Sequence, residues 1–192
     1  MSILVFAGST RRESINRRLA RAAARAVEAA GGRATLLELA DYPMPLLAGE
    51  YEAENGPPEN AHKLQDIIAA HAGLIIASPE HNHSISALLK NTLDWVSRTP
   101  RVRGSNPFIG KVAGILGTSP GGLGALQGLD HLERVLNTVG CLVLPGKVAV
   151  PRGDQILDEN GHWLDSGFEQ RVTNLAAEVV RMVNLLHPGS ST

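Results

Sequence analysis

Three short polar stretches carry the side chains able to do chemistry. Residues 8–16 (GSTRRESIN) set Ser9, Thr10, Ser14 and Asn16 as hydroxyl and amide donors beside Arg11 and Arg12. A guanidinium grips an oxyanion with paired hydrogen bonds, and the free N–H groups that open a helix attract negative charge. A phosphate is the natural guest. The stretch lacks G-x-x-x-x-G-K-[ST] and G-x-G-x-x-G, which argues against a P-loop nucleoside triphosphatase and a dinucleotide fingerprint. The plainer alternative stays open: Ser14 caps a helix and the arginines are solvated.

Residues 78–91 (SPEHNHSISALLKN) form the second stretch. Pro79 forces extended backbone on Ser78, and polar residues follow at once. Backbone groups there, with Asn82 and the rings of His81 and His83, could read the edge and face of a planar heterocycle. His81 and His83 also have the look of a metal pair, but no third ligand of suitable spacing accompanies them, so no metal is expected. The third stretch, residues 118–124 (TSPGGLG), lets backbone approach a ligand closely, with Ser119 as a polar rim atom. A glycine-rich turn alone is a weak signal; three such stretches together describe a cleft with a phosphate hole and room for a flat ring.

The elements that must position these stretches follow from hydrophobic period. Residues 2–7, 72–78, 111–117 and 141–144 are short and nearly continuous in apolar character, as strands buried on both faces are. Residues 33–39 read as an edge strand. Helical period covers about 16–30, 59–71, 85–97 and 124–139, and a last helix carries Val172, Leu175, Ala176, Val179, Val180 and Val183 on one face. Each stretch thus falls just after a buried strand, where such sheets bind ligands. Residues 98–107, with Arg101 and Arg103, and residues 151–166 read as long surface loops. The alternation predicts one α/β domain over residues 1–192, with right-handed crossovers and helices on both sheet faces.

Composition narrows the function classes. Eighteen Lys and Arg face 19 Asp and Glu for a net charge of -1, which weakens nucleic acid or an anionic membrane as partner. The six arginines from Arg11 to Arg25 are expected on a solvated helix face. The single Cys141 excludes an internal disulfide and reads as an inert core thiol. Nothing approaches the roughly 18–20 apolar residues of a membrane span, and residues 1–7 lack the basic flank of a signal peptide. A cytoplasmic protein is expected. Only seven aromatic residues are available for a core or for stacking.

The order and spacing of these residues resemble a known family. Gly8, Ser9, Arg11, Ser14 and Asn16 are similar to the G-S-x-R-x-x-S-x-N loop of the NADPH-dependent FMN reductases. Residues 78–98 resemble that family's second signature through Pro79, Glu80, Asn82, Ser84, Leu89, Lys90, Asn91, Asp94 and Trp95, and residues 118–122 its S-x-G-G turn. The signature commonly reads P-E-Y-N-Y-S-x-P; His81, His83 and Ser86 replace its two tyrosines and its second proline.

The resemblance implies a flavodoxin-like three-layer sandwich, with a five-stranded parallel sheet in the order 2-1-3-4-5. It also implies bound FMN, NADPH or NADH as co-substrate, and a homodimer or homotetramer. Ser9, Arg11, Ser14, Ile15 and Asn16 would hold the FMN phosphate. Pro79, Glu80, His81 and Asn82 would border the ring, with Ser119, Gly121 and Gly122 on the other side. Electrons would pass by a ping-pong route to a quinone, flavin, azo or metal-oxyanion acceptor. The flavin carries that chemistry, so no catalytic side chain is expected, with His81 and His83 as tuning residues. An FMN-binding electron carrier and a flavin-free binding protein are the alternatives. Trp95 is expected to pack near a subunit contact, and Asp94 to hold backbone or a neighbouring base.

Overall fold

Strands that are apolar on both sides need helices on both sides, and the chain supplies them. The computed structural model describes residues 2–98 and 106–188. In chain order the first half forms β1 (Ser2–Ala7), α1 (Ile15–Ala29), β2 (Arg33–Leu37), α2 (Gly49–Asn55), α3 (Glu59–Ala70) and β3 (Gly73–Ala77). Then come β4 (Glu80–His81), β5 (Ser84–Ile85), α4 (Ala87–Arg98), β6 (Val112–Ser119) and α5 (Leu126–Thr138). The chain continues through β7 (Leu142–Val143), β8 (Val148–Pro151), α6 (Gly153–Ile156) and α7 (Glu169–Leu186).

The main sheet is parallel, in the order β2-β1-β3-β6, with β7 and β8 both pairing β6 at the fifth position. Counted along the main sheet, this is the expected order 2-1-3-4-5. Alternate residues of each strand point to opposite layers. Ile3, Val5, Ile75 and Leu116 pack under α1 and α7, while Leu4, Phe6, Ile76 and Ile115 pack under α3, α4 and α5. Three of the seven aromatics, Phe6, Trp95 and Phe108, are fully buried. The others, Tyr42, Tyr51, Trp163 and Phe168, pack against a core or against Trp95.

Two sequence expectations are corrected here. The fifth strand does not end at Leu144. It pauses at Pro145, which has no N–H to give the ladder, and at Gly146 (φ +91°), then resumes as β8. Residues 151–166 are accordingly not one loop: they hold the end of β8, α6, and a bridge between Leu157 and Trp163. The expected loop over 98–107, with Arg101 and Arg103, falls mostly outside the described residues.

The arginines of α1 are likewise not simply solvated. Arg18, Arg21 and Arg25 recur at helical spacing and donate to the carbonyls of Leu157 (3.3 Å), Glu159 (3.0 Å) and Asn160 (3.2 Å). Arg25 also bonds the Gly161 carbonyl. Gly161 sits at φ +79°, and a Cβ there would lie 2.2 Å from the Arg18 carbonyl oxygen. Only glycine lets the 157–163 turn lie this close to α1. The helix face read as free charge is a clamp for that turn.

Cys141 is buried at the start of the fifth strand position. Burial pushes its thiol up to about 12 from an ordinary 9.0, with Lys111 pulling weakly the other way. Folding therefore favours the protonated thiol. That contribution to stability is complete below pH 9.0 and is lost as pH climbs toward about 12. Iodoacetamide at mildly alkaline pH should leave native Cys141 unmodified and alkylate it in urea. Mass spectrometry reads the difference.

Candidate functional site

The chain leaves β1, β3 and β6 at the same edge of the sheet, and the three polar stretches meet there. Their cleft has a volume of about 470 Å³, within the roughly 300–1,000 Å³ of small-molecule sites. Ser9, Arg11, Ser14, Ile15 and Asn16 line it from the first stretch, Pro79, Glu80 and His81 from the second, and Ser119 from the third. Glu13, Arg18, Thr118, Pro120 and Asp154 also line it and were not anticipated. Asp154 comes from α6, whose helical turn lay hidden in a segment read as loop. Of the remaining expected residues, Asn82 lines a neighbouring pocket instead. Gly121 and Gly122 are exposed; a Cβ at Gly121 would lie 3.6 Å from Ser119 Oγ, and one at Gly122 would meet open space.

The phosphate end is built by the start of α1. Ser14 caps the helix, accepting weakly from the Arg17 N–H at 3.4 Å. Both readings of this stretch are therefore compatible: the cap leaves the N–H groups of Ile15 and Asn16 without a protein acceptor among the described residues. Arg17 is neutralised by Glu38 at 2.8 Å, and its Nη1 also donates to the Arg11 carbonyl at 3.2 Å, which shapes the loop. Arg11 has no carboxylate partner among the described residues and borders the cleft. An unpaired guanidinium beside free helix N–H groups is a donor set suited to a phosphate.

Two expected ligand residues have prior engagements. The Asn16 amide exchanges bonds with the Thr118 backbone, Nδ2 to the carbonyl at 2.9 Å and Oδ1 from the N–H at 3.0 Å. Only its second amide hydrogen is left for a guest. The Glu80 carboxylate accepts from the Gly128 N–H at 2.7 Å. Gly128 lies in the first turn of α5, whose own start at Ala125 has no side-chain cap. Glu80 therefore supplies the negative charge that this helix end lacks, and any ring contact would come from its backbone.

The second stretch is a hairpin, unanticipated from the sequence. β4 and β5 pair antiparallel through a two-residue turn with Asn82 at φ +51° and His83 at φ +61°. Two positive φ angles make the tight turn that matches strand twist. Asn tolerates this; His83 carries strain and has its Nδ1 3.5 Å from Glu80 Oε1. Asn-His is a weak turn signal, since the usual second residue is glycine. Behind the hairpin, Ser86 donates to the Gly8 carbonyl at 2.7 Å and accepts from the Leu89 N–H at 3.1 Å. It caps α4 and ties the first stretch to the second. Asn91 and Trp95 do not reach the cleft: Asn91 Nδ2 and Trp95 Nε1 both donate to the Pro45 carbonyl, at 2.9 and 2.8 Å. Trp95 packs as expected, and Asp94 pairs with Lys90 at 2.7 Å.

A doubly wound sheet of this order, with a phosphate-type cleft at its carboxyl edge, defines a flavodoxin-like nucleotide-binding protein. The profile of the NADPH-dependent FMN reductases matches residues 1–155, and the chain belongs to that family. It is an oxidoreductase that uses FMN and NAD(P)H. A 2-hydroxy-1,4-benzoquinone reductase of Burkholderia sp is 31% identical over 163 residues, covering 84% of this chain and 85% of the relative. A quinone reductase of Escherichia coli (strain K12) is 30% identical over 175 residues, 90% of each chain. Among solved structures, the flavoenzyme NAD(P)H:(acceptor) oxidoreductase FerB from Paracoccus denitrificans superimposes with a TM-score of 0.81 at 25% identity, covering 96% of this chain and 97% of the other.

Ser86→Ala should cost about 1–2 kcal/mol through the lost α4 cap. His83→Gly should stabilise by about 1 kcal/mol by relieving the left-handed turn. Urea unfolding of the two variants against the parent checks both signs.

Proposed function

We propose that this chain passes two electrons from NAD(P)H to a quinone-type acceptor, with the co-substrate and the acceptor occupying the same bound FMN in turn, as a ping-pong mechanism requires. The observation that carries this is the cleft itself: an unpaired Arg11 and two unengaged helix N–H groups at one end, and the hairpin at the other. The names of two relatives, both quinone reductases, support a quinone over flavin, azo or metal-oxyanion acceptors.

In this reading Ser9, Arg11, Ser14 and the N–H groups of Ile15 and Asn16 hold the phosphate. The backbone of Pro79 to Asn82 and the ring of His81 border one side of the flavin, and Ser119, Gly121 and Gly122 the other. FMN, once bound, supplies the reversible two-electron chemistry. The protein orients it: Pro79 and the hairpin turn limit backbone movement, and Ser86 keeps the two loops at fixed separation. His81 and His83 tune the ring's surroundings as polar groups, with His83 Nδ1 set 3.5 Å from Glu80 Oε1. A homodimer or homotetramer, in the cytoplasm where NAD(P)H is available, completes the reading.

The visible spectrum of the purified protein with added FMN tests it directly. Flavin bands retained after gel filtration and bleached by NADPH without oxygen are expected. Retained bands that NADPH cannot bleach would indicate a carrier, and no bands at all a flavin-free binder. Arg11→Ala should weaken FMN binding by about 1–3 kcal/mol, since a charge-assisted contact is lost. Superimposable titration curves for variant and parent would remove Arg11 from the phosphate site.

A further inference from the structure

A carboxylate from α6 stands in the cleft with no protein partner. Asp154 lines the same cavity as Arg11, Ser14 and Asn16, and among the described residues it makes neither an ion pair nor a hydrogen bond. Its backbone is fixed from two sides. The Arg152 N–H donates to the Gly121 carbonyl at 3.2 Å, tying the start of α6 to the third polar stretch. Gly153 is buried against Thr118, where a Cβ would overlap the Thr118 Oγ1. Thr118 in turn exchanges backbone bonds with the Asn16 amide. Asp154 therefore stands beside the brace that joins the start of α1 to the end of β6. Building on the FMN reading above, we infer that Asp154 holds the hydroxylated chain between phosphate and ring, accepting hydrogen bonds from its hydroxyls.

The chemistry of the group picks out that part of the ligand. An ionised carboxylate only accepts, and a phosphate is an anion that repels it. The ring edge belongs to the hairpin end of the cleft, so the ligand donors facing α6 are the hydroxyls of the connecting chain. The other side-chain acceptors on the lining are already engaged. Asn16 Oδ1 accepts from the Thr118 N–H, Glu80 Oε2 from the Gly128 N–H, and Ser14 Oγ from the Arg17 N–H.

Glu13 also lines the cleft, but it belongs to the phosphate loop itself, directly before the Ser14 cap, and its exposed side chain can turn to solvent. The two arginines of the lining form no ion pair with Asp154 among the described residues. Arg18 donates to the Leu157 carbonyl at 3.3 Å, and Arg11 has no carboxylate partner. Binding strips water from the chain hydroxyls, and an acceptor already fixed in place replaces it at little ordering cost.

The test measures dissociation constants by quenching of flavin fluorescence, for the parent, Asp154→Ala and Asp154→Asn. The ligands are FMN and 7,8-dimethyl-10-(5-phosphopentyl)isoalloxazine, which keeps the ring and the phosphate and lacks the hydroxyls. Asp154→Ala should weaken FMN about five- to twentyfold and leave the analogue unchanged. Asp154→Asn, whose amide oxygen still accepts, should keep part of the affinity. Equal losses on both ligands would make Asp154 a structural residue. Tighter binding of both would make it a group that repels the phosphate, and unchanged constants would leave it solvated. Each of these three results overturns the proposal. A parent that binds neither flavin brings down the FMN reading, and this proposal with it.

Discussion

Asn16 and Thr118, 102 residues apart, close a reciprocal pair of buried hydrogen bonds on which the cleft depends. β6 runs past the end of β3: the last β3 residue, Ala77, faces Leu116, while β6 continues to Ser119. On one side β8 covers that extension as far as Ser119 and Pro151. On the other side no strand reaches it, and a buried peptide group without a partner is costly. The Asn16 amide presents one donor and one acceptor with the spacing of a backbone peptide and takes the missing strand's place. It thereby pins the first turn of α1 against the end of the sheet, which is where an anion would sit.

The same economy runs through the other loops. Ser78 donates its N–H to the Leu116 carbonyl at 2.8 Å, Ser86 reaches Gly8, and Glu80 reaches the start of α5. Each loop is thus held by an element from another part of the chain rather than by its own turn. A cleft braced in this way is shaped before any ligand arrives, which reduces the ordering cost of binding. Polar residues that look like ligands in the sequence therefore divide into braces, such as Asn16 and Glu80, and free groups, such as Arg11.

The scarcity of aromatic residues takes on a definite meaning in the fold. Six are buried or pack against a core and Tyr51 packs on Trp95, and none lines the cleft or the pocket beside it. At the hairpin, where relatives of this family commonly carry tyrosines, two histidines stand exposed, His81 on β4 and His83 on the strained turn. Flat ligands at this edge would meet proline, histidine and aliphatic surface, with charge from Arg11 at the phosphate end.

The layers and the place of the cleft were legible in the sequence because hydrophobic period is a local property, repeated along each element; the strand order came from the resemblance to the family. Short apolar runs separated by amphipathic stretches admit few topologies, and the residue types at three strand ends named a phosphate and a ring. Partner choice was not legible. The Arg18, Arg21 and Arg25 clamp on the 157–161 turn, the Glu80 cap on α5, the split of the fifth strand and the placing of Asp154 beside Thr118 all join segments far apart in the chain. A side chain's type says that it can donate or accept; only the packed fold brings a particular donor to a particular acceptor and shows which groups remain free for a ligand.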